Sequence, residues 1–272
     1  MKLATVRVNG EARAARITDD AAILLDAADV GELLTDENWA QRAAADGESI
    51  SLDGLDYLPV IPRPDKIVCL GLNYATHIAE TGRETPEFPT LFGKYSGALT
   101  GAYADITKPH QSETLDWECE LALVIGKGGR DIRAEDALDH IAGYTVSNDV
   151  TVREWQRRTR QYLAGKTWEA LTPLGPWLVT SDELPPGASG LKIETIVDGE
   201  VMQSSNTSDL LFDVPAIVAY TSEVISLKPG DVILTGTPGG VGNARDPKIF
   251  LKPGQLLETV IEKVGHQKNR IV

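Results

Sequence analysis

Short apolar runs that stop within a few residues restrict the fold of this chain more than any other feature. ECELALVIG, HIAGYTVSNDV, LGPWLVT, LKIETIVDGEVMQ and GDVILTG are all of strand length, and KIVCLGL is a shorter one. Helical patterns are scarcer: AEDALDHI, VREWQRR and LLFDVPAIVAYTSEVI. Asn9-Gly10 and Asp198-Gly199 each separate two alternating runs, which signals tight hairpins. The expectation is a β-rich α+β protein, because the runs do not alternate strictly with helices as βαβ units would.

The stretch YLPVIPRPDK places Pro59, Pro62 and Pro64 close together. Proline fixes the backbone and donates no hydrogen bond, so this is a connector. It divides the chain into a small N-terminal α/β unit, residues 1–62, and a larger domain, residues 63–272. Within the first unit, DDAAILLDAADVGELL reads as a strand and a short helix, and ENWAQRAAADG as a helical patch ended by Gly47.

Charge excludes some partners. Lys and Arg number 26 against 40 Asp and Glu, for a net charge of −14. Such a polyanion gains nothing from neutralising phosphates, so neither nucleic acid nor an anionic membrane is an expected partner. A small anionic substrate stays open, since the local site sets that field. Cys69 and Cys119 both lie in apolar runs, which fits a reducing compartment. The opening MKLATVRVNGEARAARI lacks the unbroken apolar core of a signal peptide, and no run is long enough to span a bilayer. A cytoplasmic protein is expected.

In DWECELALVIG, Glu118 and Glu120 are two apart and project from the same strand face, with Cys119 opposite. Like charges so placed raise each other's pKa, separate into water, or share a cation. A solvated strand end and a metal site both satisfy the pattern. Asp149, at the end of GYTVSNDV, adds a third carboxylate from another strand end. Three acids with room for water or substrate oxygens suit Mg²⁺ or Mn²⁺. Asp149 could instead cap the helical run VREWQRR.

His77 and Glu80 share a helical face in GLNYATHIAE. A histidine held by a carboxylate is the usual arrangement of a general base, and also a common surface pair. Lys166 in GKTWE could meet a substrate carboxylate or simply be solvated. Arg153 and Gln156, just after Asp149, are spaced to reach the same cavity. TGTPGGVG has neither nucleotide-loop pattern and no helix after it. It reads as a loop whose backbone N–H groups, at Gly236 among others, and whose Thr237 hydroxyl approach a carboxylate.

In this order, GLNYATHIAE, DWECEL, GYTVSNDV with Arg153 and Gln156, GKTWE, TPLGPWLVT, SNTSDLLFDVPAIVAY and PGDVILTGTPGGVG resemble the fumarylacetoacetate hydrolase family, over about residues 64 to 262. The resemblance implies a mixed β-sheet roll, usually a homodimer. It implies Mg²⁺, Mn²⁺ or Ca²⁺ on Glu118, Glu120 and Asp149. It matches His77 and Glu80 to a catalytic dyad on a segment that orders as a lid, and Lys166 to a substrate-side lysine. Arg153, Gln156, Gly236 and Thr237 fall at substrate-contacting positions. The implied activity is metal-dependent cleavage of a C–C bond in a 2,4-diketo acid, an acylpyruvate such as fumarylpyruvate, in aromatic catabolism. Decarboxylation of oxaloacetate, or isomerisation and decarboxylation of unsaturated dioic acids, would use the same metal–enolate chemistry. Specificity is expected to lie in the lid run TGRETPEFPT and around Arg157 to Tyr162. The four arginines of REWQRRTRQ are either a solvated face or a grip on a second substrate carboxylate.

Overall fold

The computed structural model describes residues 1–82 and 84–272; Arg83, within the expected lid run, lies outside the described residues. Strand Cys119–Ile125 organises the molecule, because its two faces enter different cores. Cys119, Leu121, Leu123 and Ile125 join one cluster, while Ala122 and Val124 join another. All seven residues are buried, the two-residue period of a strand covered on both sides. Each large aliphatic side chain buried there contributes about 1.5–3 kcal/mol.

Cys119–Ile125 pairs antiparallel with Ile141–Asn148 on one side and Val232–Leu234 on the other. Beyond Val232–Leu234 lie Ile67–Gly71, parallel to it, and then Thr90–Lys94. In the other direction the sheet continues through Thr172–Thr180 to Lys2–Val8, Glu11–Ile17, Ala22–Leu24 and Ser49–Ile50. The N-terminal strands therefore extend the same mixed sheet. A second sheet of four strands is built from Lys192–Val197, Glu200–Asn206, Leu256–Ile261 and Gly265–Arg270. Its Ile193 and Ile261 share a core with Leu121, Leu123 and helix residues Ile217 and Val218. On the opposite face, Val30, Leu33 and Leu34 of the helix Val30–Leu34 pack with Ala122, Val124 and Leu234.

Both expected hairpins form. Asn9 and Gly10 have φ of 51° and 86°, and Asp198 and Gly199 have φ of 50° and 84°. Two successive left-handed residues match the strand twist, which is why Asn-Gly and Asp-Gly stand there. Three elements differ from the sequence pattern. AEDALDHI forms a 3₁₀ segment, Ala134–His140, rather than an α-helix. The helix in ENWAQRAAADG is only Trp39–Ala43, ending before Gly47. Gly47 serves another purpose: a Cβ there would come within 2.0 Å of the Leu24 carbonyl oxygen. Thr90–Lys94 is a strand that no apolar alternation announced. Among the described residues, no helix is long and apolar enough to cross a membrane.

Candidate active site

The sheet register brings the acids together. Cys119 pairs with Asn148, so the next pair outward is Glu118 with Asp149. Directly opposed residues share a face, and Glu120 lies on that face by strand alternation. The Asp149 N–H donates to the Glu118 carbonyl at 2.8 Å, and the Glu118 N–H donates to Asn148 Oδ1 at 2.9 Å. One carboxylate oxygen from each of Glu118, Glu120 and Asp149 lies within 4.8 Å of the others, and all three residues are buried. The helix Arg153–Gln156 has Val152 at its N-cap and no side-chain cap, so Asp149 does not fill that role.

Cations surround the cluster. Lys166 Nζ donates to Glu118 Oε2 at 2.7 Å and to Asp149 Oδ2 at 2.8 Å. Lys94, itself buried, donates to Asp149 Oδ1. Arg153 bridges Asp116 Oδ2 at 2.7 Å and Glu118 Oε1 at 2.6 Å, and also donates to Gln156 Oε1 at 3.1 Å. Asp116 in turn accepts the N–H groups of Gly242 and Asn243, tying the glycine-rich loop to the strand end. Four carboxylates (116, 118, 120 and 149) face three cations (94, 153 and 166), which leaves one negative charge over when all are ionised.

The three acids are not equivalent. Burial opposes the charge on Glu118, but Lys166 and Arg153 outweigh it and hold its carboxyl down to about 2. Burial, reinforced by Asp149 and Glu118, pushes Glu120 well above the usual carboxylate range. Glu120 Oε2 accepts the Gly236 N–H at 2.8 Å. Its Oε1 is buried with no hydrogen-bond partner among the described residues. A buried carboxylate with an unshared oxygen, beside two others, is a donor set that fits a hard divalent cation. Each oxygen already holding an ammonium or guanidinium keeps a second lone pair for that ion.

In front of the cluster lies a cavity of about 380 Å³. Glu118, Lys166, Arg153, Gln156, Thr237 and His77 all line it, so six of the expected site residues converge. Glu120, Asp149, Glu80 and Gly236 do not line it: the first two and Gly236 are buried, and Glu80 is exposed. His77 lies on the helix Ala75–Thr81 with Nδ1 3.3 Å from Glu80 Oε2. Glu80 Oε1 accepts the Gly240 N–H at 2.9 Å. Burial opposes the Glu80 charge, yet the His77 contact and the Gly240 N–H hold its carboxyl below its ordinary value. With Nδ1 turned to Glu80, Nε2 is the imidazole nitrogen left to exchange a proton.

Sequence reasoning passed over Lys94, Asp116 and Gln203. Lys94 ends the half-buried strand Thr90–Lys94 and is its only buried residue, which no local pattern of TLFGK signals. Gln203 Nε2 donates to Thr237 Oγ1 at 2.9 Å and to the Pro238 carbonyl, while its Oε1 accepts from Cys119 N and Thr195 Oγ1. That role depends on pairing between two sheets and leaves no local pattern.

A family profile, fumarylacetoacetate (FAA) hydrolase C-terminal, matches residues 66–272. The chain belongs to the fumarylacetoacetate hydrolase family. Among curated relatives of this family, the mitochondrial oxaloacetate tautomerase FAHD2A of Bos taurus is 46% identical over 218 residues, 79% of this chain and 69% of its own. The fumarylacetoacetate hydrolase from Exiguobacterium antarcticum superposes with a TM-score of 0.89 at 32% identity, covering 100% of this chain and 99% of that one. The 5-carboxymethyl-2-hydroxymuconate delta-isomerase from Mycobacterium smegmatis gives 0.85 at 33% identity, with the same coverage. The family's β-rich α+β fold therefore extends over the whole chain, including the N-terminal strands that the profile omits.

Proposed function

We propose that this cavity generates and discharges the enolate of a 2-oxo acid with the help of a divalent metal. The observation that carries the reading is the cluster of Glu118, Glu120 and Asp149 at the back of a cavity that His77 also lines. Mg²⁺ or Mn²⁺ held by those three carboxylates would supply Lewis-acid polarisation of the 2-oxo group. Arg153 and Lys166 are placed to balance charge on the substrate carboxylate and on the 2-oxo oxygen as the carbon beside it loses a proton. His77, oriented by Glu80, takes that proton through Nε2. The C–H electron pair forms the C2=C3 bond as the carbonyl π pair moves to the 2-oxo oxygen, and return of the proton to that oxygen gives the enol.

Two outcomes share these parts. Keto–enol tautomerisation of oxaloacetate is the first reading, supported by 46% identity to a tautomerase over most of the chain. Hydrolysis of an acylpyruvate such as fumarylpyruvate is the second, favoured by the dyad itself. There His77 deprotonates water, the hydroxide adds to the 4-carbonyl, and the C3–C4 bond breaks with its electrons retained as pyruvate enolate. Protonation at C3 then yields pyruvate, beside a carboxylic acid.

The test is to strip the protein with EDTA, restore Mg²⁺ or Mn²⁺, and follow oxaloacetate tautomerisation beside pyruvate release from acetylpyruvate and fumarylpyruvate. Metal-dependent tautomerisation supports the first reading, and faster pyruvate release supports the second. Turnover of neither substrate class, or equal turnover without metal, overturns the proposal.

A further inference from the structure

We infer that Arg157 and Arg160 form a subsite for the far carboxylate of a dicarboxylic 2-oxo acid. Both line the same cavity as Glu118 and Lys166. Other arginines nearby are already engaged. Arg153 is held by Asp116 and Glu118 through Nε and Nη1, which leaves only its buried Nη2 for a substrate oxygen beside the acid cluster; Arg245 is held by the Met202 carbonyl, and Arg158 lies 3.5 Å from the centre of the Trp155 ring. The guanidinium groups of Arg157 and Arg160 have no ion pair, carbonyl or ring partner among the described residues. This occurs in a chain with 40 acidic side chains against 26 basic ones, where a free pair of guanidinium groups has many carboxylates available to it. Instead the pair faces a cavity.

The segment is held on both sides. Arg158 stacks on Trp155, which packs edge-on against Trp168 with centroids 5.2 Å apart. Tyr162 packs edge-on against Phe92 at 5.6 Å. The turn between these aromatic anchors presents Arg157 and Arg160 toward the space in front of the acid cluster. Guanidinium forks match carboxylates bidentately, which a solvated lysine does not do. In the free protein both arginines are exposed, so water screens them. A ligand that fills the cavity excludes that water and strengthens the contact. The chain's net negative charge repels dianions at long range, so this local positive wall decides whether one can enter.

This inference rests on the proposed reading only in that a 2-oxo acid occupies the cavity. Its test uses binding rather than turnover, so the two can fail separately. Isothermal titration of the Mg²⁺-loaded full chain compares 2-oxoglutarate with 2-oxopentanoate, which has the same carbon chain without the far carboxylate. Oxalate, which has no far group, serves as control. The native protein is expected to prefer 2-oxoglutarate by about ten- to a hundredfold, the worth of one or two charge-assisted bonds. In the R157Q/R160Q double variant that preference should collapse toward unity while oxalate binding stays within a factor of about two. Equal binding of the two acids by native protein, or a preference surviving in the double variant, overturns the assignment. If the preference holds but neither oxaloacetate nor an acylpyruvate is turned over, the subsite stands and the proposed reaction falls.

Discussion

The cavity has two walls made by opposite means. Glu118, Glu120 and Asp149 stand at the ends of paired strands, fixed by register and by backbone hydrogen bonds, with exposures of 6%, 0% and 0%. His77 sits on a seven-residue helix, and Arg157 and Arg160 on an exposed turn. The strand wall cannot move an acid without breaking the ladder. The loop wall can exchange side chains at little cost to the core. On the proposed reading, the acids that would hold the metal stand on the rigid wall, while the base His77 and the arginines that would choose the substrate stand on the more accessible one.

The strongest way to break that contrast is to remove the oxygen that lacks a partner. Glu120→Gln keeps the shape and the Gly236 contact but deletes the charge. Turnover should be abolished and Mn²⁺ affinity reduced on the order of 100-fold or more, measured by calorimetry. The metal-free variant should melt no lower than the native protein, because burial together with Asp149 and Glu118 already disfavours a charge at this site. In the native protein, metal at a hundredfold excess over its Kd should add about 2.7 kcal/mol of stability, and the variant should lose that gain. A lower melting temperature without metal would mean that Glu120 serves packing instead.

On the other wall, His77→Ala should lower kcat by about 10²- to 10⁴-fold with Mn²⁺ affinity unchanged. Loss of metal binding there would merge the two walls into one unit and end the comparison. Lys94 belongs to the strand wall although its sequence hardly showed it. Lys94→Met leaves Asp149 with one ammonium fewer in a dry site, and should destabilise the metal-free fold by about 3–5 kcal/mol in denaturant unfolding. A change below about 0.5 kcal/mol, the range of surface substitutions, would show that Lys166 alone holds Asp149.

The same division explains what could be read without the structure. Glu118 and Glu120 share a face by strand alternation, and Asn9-Gly10 and Asp198-Gly199 turn where their chemistry demands, so short-range rules reach them. His77 with Glu80 and Arg153 with Gln156 are spaced three apart and were legible for the same reason. Lys94, Asp116 and Gln203 were not, because their partners lie 55, 37 and 84 residues away. The short strand Thr90–Lys94 gains its identity from pairing with Ile67–Gly71, a tertiary contact that outweighs weak local preference.

Gln203 gives the smallest effect and the finest test of how the rigid wall presents a group to the adaptable one. Its amide is saturated: the carbonyl oxygen accepts two bonds and Nε2 donates two. Because Nε2 donates to Thr237 Oγ1, the Thr237 proton is not used on Gln203 and can turn either to the neighbouring Cys119 sulfur or to a substrate oxygen in the cavity that Thr237 lines. Gln203→Glu removes the donor and offers a carboxylate oxygen, toward which the Thr237 proton turns; that oxygen also faces the buried Pro238 carbonyl, so the variant should lose stability in denaturant unfolding as a separate effect. A substrate oxygen then loses one hydrogen bond, about 1 kcal/mol, so KM should rise about fivefold with kcat and Mn²⁺ affinity little changed. Thr237→Val should produce a similar rise directly, leaving Nε2 of Gln203 its bond to Pro238. If both act through the one proton, the double variant should be no worse than either single one. Additive losses would mean that Gln203 merely packs between the two sheets, and that the orientation of Thr237 owes nothing to it.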